Sequence, residues 1–215
     1  MPDLDFRIED AEVLEYAAVP SLLFKLRVES VGEEPIRSIS LNTQVRIAAT
    51  QRHYEAAEQA RLLEVFGEAH RWGQTLRSLL WTHTNLQVPP FTGSVVVDMP
   101  VTCTYDLEVV AAKYFYALEE GEVPLEFLFT GTVFYAGEGG GLQAARISWE
   151  KEAAFRMPVR LWKEMMDRYF PNSAWLKLRK DAFDSLYDYK VRMGHPTWEA
   201  AVEALLRASE QEVER

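Results

Sequence analysis

SVVVDMPVTCTYDLEVV, residues 94–110, is the stretch on which the fold class turns. Val95, Val97, Met99, Val101, Cys103, Tyr105, Leu107 and Val109 share one parity, while Ser94, Asp98, Thr102, Thr104, Asp106 and Glu108 hold the other. Successive strand side chains point to opposite faces, so the run predicts a half-buried β-strand with one face on a core and the other in water.

The same alternation recurs upstream. Leu4, Phe6 and Ile8 alternate with polar residues, as do Leu22, Phe24, Leu26 and Val28, and then Ile39, Leu41, Thr43, Val45 and Ile47. Between the second and third runs lies SVGEEP, where Gly32 and Pro35 supply turn geometry and Glu33 and Glu34 keep the loop wet; a hairpin pairing those two strands is expected. AAEQARLLEVF, inside 54–66, is rich in helix formers and followed by Gly67 as a C-cap, so a helix is expected between strands. Leu76–Val88 reads as extended, and VPPFTG at 88–93 marks a loop or sheet edge.

Downstream, Leu125, Phe127, Phe129, Val133 and Tyr135 set out another strand. GEGGG at 137–141 is a turn, and Ala145, Ile147 and Trp149 complete a hairpin, for six or seven strands in all. The last third changes period. Pro158 opens a helix carrying Trp162, Met165, Met166, Tyr169 and Phe170, which Pro171 ends. Ser173 is placed to cap a second helix with Trp175, Leu178, Ala182, Leu186 and Tyr189, stopped by Gly194 and Pro196. Thr197 is placed to cap a third, with Trp198, Ala201, Val202, Leu205 and Leu206 on one stripe. The expected fold is α+β: an antiparallel β-sandwich over 1–155 with an inserted helix near 54–66, and a C-terminal subdomain of two or three helices over 156–215.

Composition narrows the function classes. Lys and Arg number 23 against 33 Asp and Glu, a formal net charge of -10 that repels phosphate backbones and anionic lipid, so neither nucleic acid nor a membrane is an expected partner. No apolar run approaches the roughly 18–20 residues that span a bilayer. The opening MPDLDFRIED shows no basic segment followed by an apolar one, so export is not expected. A single cysteine, on the apolar parity of its strand, fits a reducing, cytoplasmic setting.

No catalytic or cofactor motif stands out, and no catalytic residue, cofactor or metal site is assigned. His53, His70, His83 and His195 do not fall at ligand spacing. Cys103 and Asp106 differ in parity, so the acid does not activate the thiol, and a buried, inert thiol is expected. GEGGG lacks the lysine and hydroxyl of a phosphate loop and joins two strands. Glu119 and Glu120 read as solvated loop charges. Trp162, Trp175 and Trp198 lie on helical stripes and read as packing residues. Trp72, Trp81 and Phe91 flank the least regular region; core packing is their first reading, and together in the open they would instead form an aromatic anchor for a protein partner.

RWGQTLRSLLWTHTN at 71–85, VPPFTGSVVVDMPVTCTYDLEVVAAKYFYAL at 88–118, VPLEFLFTGTVFY at 123–135 and PTWEAAVEALL at 196–206 are similar to an uncharacterised domain-of-unknown-function family whose members tend to be encoded beside nickel-iron hydrogenase genes. The resemblance covers nearly the whole chain and implies an accessory, chaperone-like part in hydrogenase assembly, with a hydrogenase subunit as partner. It transfers no residue roles. The expected function is therefore a non-enzymatic binding or assembly protein. The alternative is a small-molecule-binding protein or hydrolase with its site between sheet and helices.

Overall fold

The computed structural model describes residues 2–213 other than Glu33, Glu138 and Trp175. The chain runs β1 (Leu4–Val13), β2 (Ser21–Ser30), β3 (Ile36–Ile47), α1 (Ala56–Arg61), α2 (Leu63–Phe66), α3 (Trp72–Thr75), β4 (Leu79–Val88) and β5 (Ser94–Thr102). It continues through α4 (Val110–Ala117), β6 (Glu122–Ala136), β7 (Leu142–Arg146), β8 (Glu152–Pro158), α5 (Val159–Tyr169), α6 (Lys180–Arg192) and α7 (Trp198–Val213).

Two antiparallel sheets make the sandwich. One has the order β1-β2-β5; the other runs β4-β3-β6, and β6 then pairs with β7 along its C-terminal half and with β8 along its N-terminal half. Alternate residues of both sheets meet in the middle, where Phe6 of β1 stacks on Phe129 of β6 with centroids 4.4 Å apart. Phe24 of β2 meets Phe127 edge-on at 5.2 Å. These rings, with fully buried Leu22, Leu26, Ile39 and Val45, make an apolar layer between the sheets. At Gly131 of β6, opposite Leu41 of β3, φ is +146° and an added Cβ would stand 2.0 Å from the Ser40 carbonyl oxygen, so only glycine fits the close approach of these strands.

Three expectations are corrected. β2 and β3 do not pair: each joins a different sheet. Alternation reports that a strand has a buried face, not which strand lies beside it. The decisive run is also shorter than its pattern. The ladder stops at Thr102, with Cys103 N–H still donating to the Pro20 carbonyl at 2.8 Å. Beyond it Asp106 N–H donates to Thr104 Oγ1 and Glu108 N–H to Asp106 Oδ1, local bonds that replace the ladder. Tyr105 and Leu107 nevertheless remain half-buried on the original parity, so the pattern outlasts the strand. Residues 110–117 then form α4, whose Ala111, Ala112, Tyr114, Phe115 and Ala117 are all buried. Finally, the helix expected from Ser173 begins only at Lys180, and Trp175, assigned to it, lies outside the described residues.

The helix expected near 54–66 is present as α1 and α2, joined at Leu62, and Gly67, with φ +73°, ends it by donating its N–H to the Leu63 carbonyl. An eighth strand, β8, also exceeds the expected number. The chain divides into two compact units, Met1–Ala174 and Trp175–Arg215. The first extends past residue 155 to include α5, because Val159, Trp162, Met165 and Met166 are buried. Within the second, Thr197 Oγ1 accepts the Ala200 N–H, and the Phe183 and Tyr187 rings lie 5.3 and 6.1 Å from Trp198. Among the described residues no helix is long and apolar enough to cross a membrane.

Candidate functional site

A chain of aromatic rings leads from the core to an open cleft. Trp81 of β4 sits 4.8 Å from Phe115 of α4, and Phe115 stacks on Trp162 of α5 at 5.4 Å. Trp162 is 6.0 Å from Tyr105, in the segment after β5; Tyr105 in turn stacks on Phe170 at 5.4 Å and stands 6.3 Å from Tyr116 of α4. The inner members are locked by burial: Trp162 is 2% exposed, whereas Tyr116 is 49% exposed.

Two hollows open on these outer rings. One, of about 420 Å³, is lined by Arg61, Tyr105, Tyr116, Trp162, Lys163, Met166 and Asp167. The other, of about 590 Å³, is lined by Tyr105, Tyr116, Asp167 and the residues that follow α5, from Phe170 to Ala174. They share Tyr105, Tyr116 and Asp167 and so form one cleft. α5 ends there because Pro171 cannot continue it and Asn172 takes the left-handed φ of +51°.

The cleft carries a defined charge pattern. Lys163 and Asp167 are one turn apart on α5. Arg61, at the first hollow, is engaged by Glu119 at 3.1 Å. Burial raises the Tyr105 hydroxyl pKa, with Tyr116 and Asp167 adding to the effect, so the phenol stays neutral and able to donate.

Beneath α1 lies a support network. Glu58 receives two bonds from Arg52, at 2.8 and 2.9 Å, and accepts the Glu119 N–H at 2.9 Å. Arg52 also donates to the carbonyls of Glu120 and Glu122. The network ties α1 to the segment that follows α4. Tyr54 donates to the Ala49 carbonyl at 2.7 Å, and its hydroxyl lies 2.8 Å from that of Tyr114.

The three aromatics singled out from the sequence are placed as follows. Trp72 packs edge-on to Tyr54 and Phe66 and donates its indole N–H to the Gly67 carbonyl at 2.9 Å. Trp81 packs against Phe24 as well as Phe115. Phe91 exchanges backbone hydrogen bonds with Ile36. All three are half-buried against the core, and among the described residues no ring contact joins one to another. The cleft instead gathers Tyr105, Tyr116, Asp167 and Phe170, from three separate stretches of sequence. Their two advance signals were the apolar parity of Tyr105 and the stripe position of Phe170.

Cys103 is buried and its thiol is pushed up to about 12 by desolvation. His53 and His70 lie beside Glu55 and Glu68 at the surface, His83 is exposed on β4, and His195 donates its backbone N–H to the Lys190 carbonyl. Among the described residues no group of three or more His, Cys, Asp or Glu is arranged to hold a metal. Gly137 and Gly141 close the β6–β7 turn through a 2.9 Å backbone bond, while Glu138 lies outside the described residues.

No curated protein sequence matches the chain. Among solved structures, the CARDB domain of a Pyrococcus furiosus protein, in complex with di-metal ions, is 13% identical and is matched over 73% of this chain and 91% of its own, with a TM-score of 0.28. The putative ApaA protein from Bordetella pertussis is 13% identical over 73% of this chain and 94% of its own, at 0.25. A β-glucosidase from Kluyveromyces marxianus is 11% identical over 73% of this chain and 15% of its own, at 0.26. Likenesses this remote carry no functional argument. The sequence itself matches a family of unknown function, DUF6084, across residues 1–214, and the chain belongs to that family.

Proposed function

We propose that this protein is a binding or assembly factor that recognises a protein partner through the aromatic cleft between α4 and α5. The observation that carries the reading is the half-exposed Tyr116 beside Tyr105, on a wall whose inner rings, Phe115 and Trp162, are immobilised in the core. Rigid aromatic side chains present a large contact area at low entropic cost, and they anchor protein interfaces for that reason. The net charge of -10 disfavours nucleic acid as the partner. The resemblance to a family encoded beside nickel-iron hydrogenase genes supplies the partner class: a hydrogenase subunit, with this chain as an accessory or chaperone-like protein.

Affinity purification of the tagged protein from its native host, with mass spectrometry and metal assay of the eluate, tests the reading. A hydrogenase subunit recovered with the wild type and lost with Tyr116→Ala is the expected outcome. Equal recovery with Tyr116→Ala rejects the cleft, and recovery of other proteins in place of a hydrogenase subunit rejects the partner class. A small-molecule site is the second reading, favoured by the volumes of the two hollows, about 420 and 590 Å³, within the range of ligand pockets. Neither Cys103 nor His83 lines it. A small molecule retained through gentle purification, and displaced by Tyr116→Ala, selects that alternative.

A further inference from the structure

We propose that the cleft takes a cationic side chain, the guanidinium or ammonium of an arginine or lysine on the protein partner, with the charge against Asp167 and the stem along Tyr105 and Tyr116. This rests on the reading of the cleft as the recognition surface and adds the chemistry that the surface selects.

Five observations converge on a cation. Asp167 borders both hollows, is exposed, and has no hydrogen bond or ion pair among the described residues. The neighbouring positive groups do not satisfy it: Arg61 is taken by Glu119, and Lys163 lines the smaller hollow alone. The larger hollow lies at the C-terminal end of α5, at the negative pole of the helix dipole. Aromatic rings attract a cation through their negative faces, and the hollow offers Tyr105 and the half-exposed Tyr116 beside the carboxylate. The formal charge of -10 on the whole chain steers cations toward it. An anionic ligand would meet an unpaired carboxylate and no cation among the residues that line the larger hollow.

The test is an NMR titration of the full-length ¹⁵N-labelled protein, read at the Trp162 indole N–H, which Trp162→Phe assigns. The probes are N-acetyl-arginine amide, N-acetyl-lysine amide, N-acetyl-norleucine amide, N-acetyl-glutamate amide and tetramethylammonium. The arginine and lysine probes should shift the resonance saturably, more weakly as salt is raised. Asp167→Asn, a change at an exposed position, should weaken them about three- to fivefold, the scale of one partly exposed charge pair. Lys163→Gln should tighten them, because it removes the competing cation. Norleucine binding as tightly as arginine, or no effect of Asp167→Asn, overturns the cation assignment and leaves the recognition surface standing. Saturation by tetramethylammonium with none by the arginine or lysine probe assigns the site to a free organic cation and overturns the side-chain source. If none of the five probes perturbs Trp162, the cation assignment fails; loss of the partner with Tyr116→Ala then shows independently whether the recognition surface survives.

Discussion

Replacing Glu58 by Gln removes the centre of the most deeply buried ion pair in the molecule's described residues. Its side chain is 4% exposed and that of Arg52 9%. The carboxylate takes both Arg52 bonds and the Glu119 N–H, and with Glu55 it closes the capping box of α1. Breaking one side of a buried pair costs about 3–5 kcal/mol, since the remaining charge stays desolvated. Arg52 retains the carbonyls of Glu120 and Glu122, so the lower end, about 3 kcal/mol, is expected. At roughly 2–4 °C per kcal/mol for a chain of this size, the melting temperature should fall by about 6–12 °C. Urea denaturation followed by far-UV circular dichroism measures the loss directly. The double change Arg52→Met with Glu58→Met should recover most of it, because no unpaired charge remains. The pair should also leave a pH signature. Burial alone would raise the Glu58 pKa, but the Arg52 bonds and the Glu119 and Glu55 N–H groups outweigh it and hold the carboxyl below its ordinary 4.5. A carboxyl lowered by folding adds stability above its unfolded pKa and loses it as pH falls through the folded value. The gap between wild type and Glu58→Gln should therefore be full above about pH 5.5 and close as the solution is acidified below about pH 4. A loss under about 1 kcal/mol, the scale of a solvent-exposed ion pair, would refute the reasoning.

Two further expectations follow from single positions. Gly131→Ala drives a methyl group into the Ser40 carbonyl and should destabilise the sandwich by about 3 kcal/mol or more; an unchanged melting temperature would show that the β3–β6 approach relaxes freely. Cys103, with its thiol pushed up to about 12, should not react with an aromatic disulfide reagent at pH 8 in the native protein and should react fully in guanidinium. Rapid native labelling would mean that the end of β5 opens readily.

The existence of most strands was legible because their segments alternate or carry continuous apolar residues over a few positions, as Leu22–Val28 and Ile39–Ile47 do, whereas β8 was not among the six or seven expected. Strand partnership was not, since the same alternation serves a hairpin and a crossover, and β2 to β3 is the crossover. α4 was hidden for a different reason. VVAAKYFYA has no polar stripe, because five of its residues are buried, and it follows directly on a strand pattern that local side-chain bonds had already ended. The cleft was the least legible feature. Tyr105, Tyr116 and Phe170 each satisfy a packing pattern within their own segment, and only the closing of α4 and α5 upon each other brings their outer edges together. Trp72 and Trp81 drew notice because their neighbourhood is irregular in sequence, and the structure gives them core partners: Tyr54 and Phe66 for one, Phe24 and Phe115 for the other.

The interleaving of the two sheets has a consequence for how the chain is made. β1 and β2 leave the ribosome as a ready hairpin, yet β5, the strand that closes the free edge of β2, is not translated until residues 31–93 have emerged. β6, which supplies the opposing Phe127 and Phe129, comes later still. Until then the nascent hairpin bears a greasy face and an unpaired edge, a template for joining the wrong chain. Bacterial or cell-free synthesis of this protein should therefore depend on translation speed and on chaperones that shield nascent chains. Fragments ending before residue 94 should precipitate, while those extending through β8 and α5 should stay dispersed.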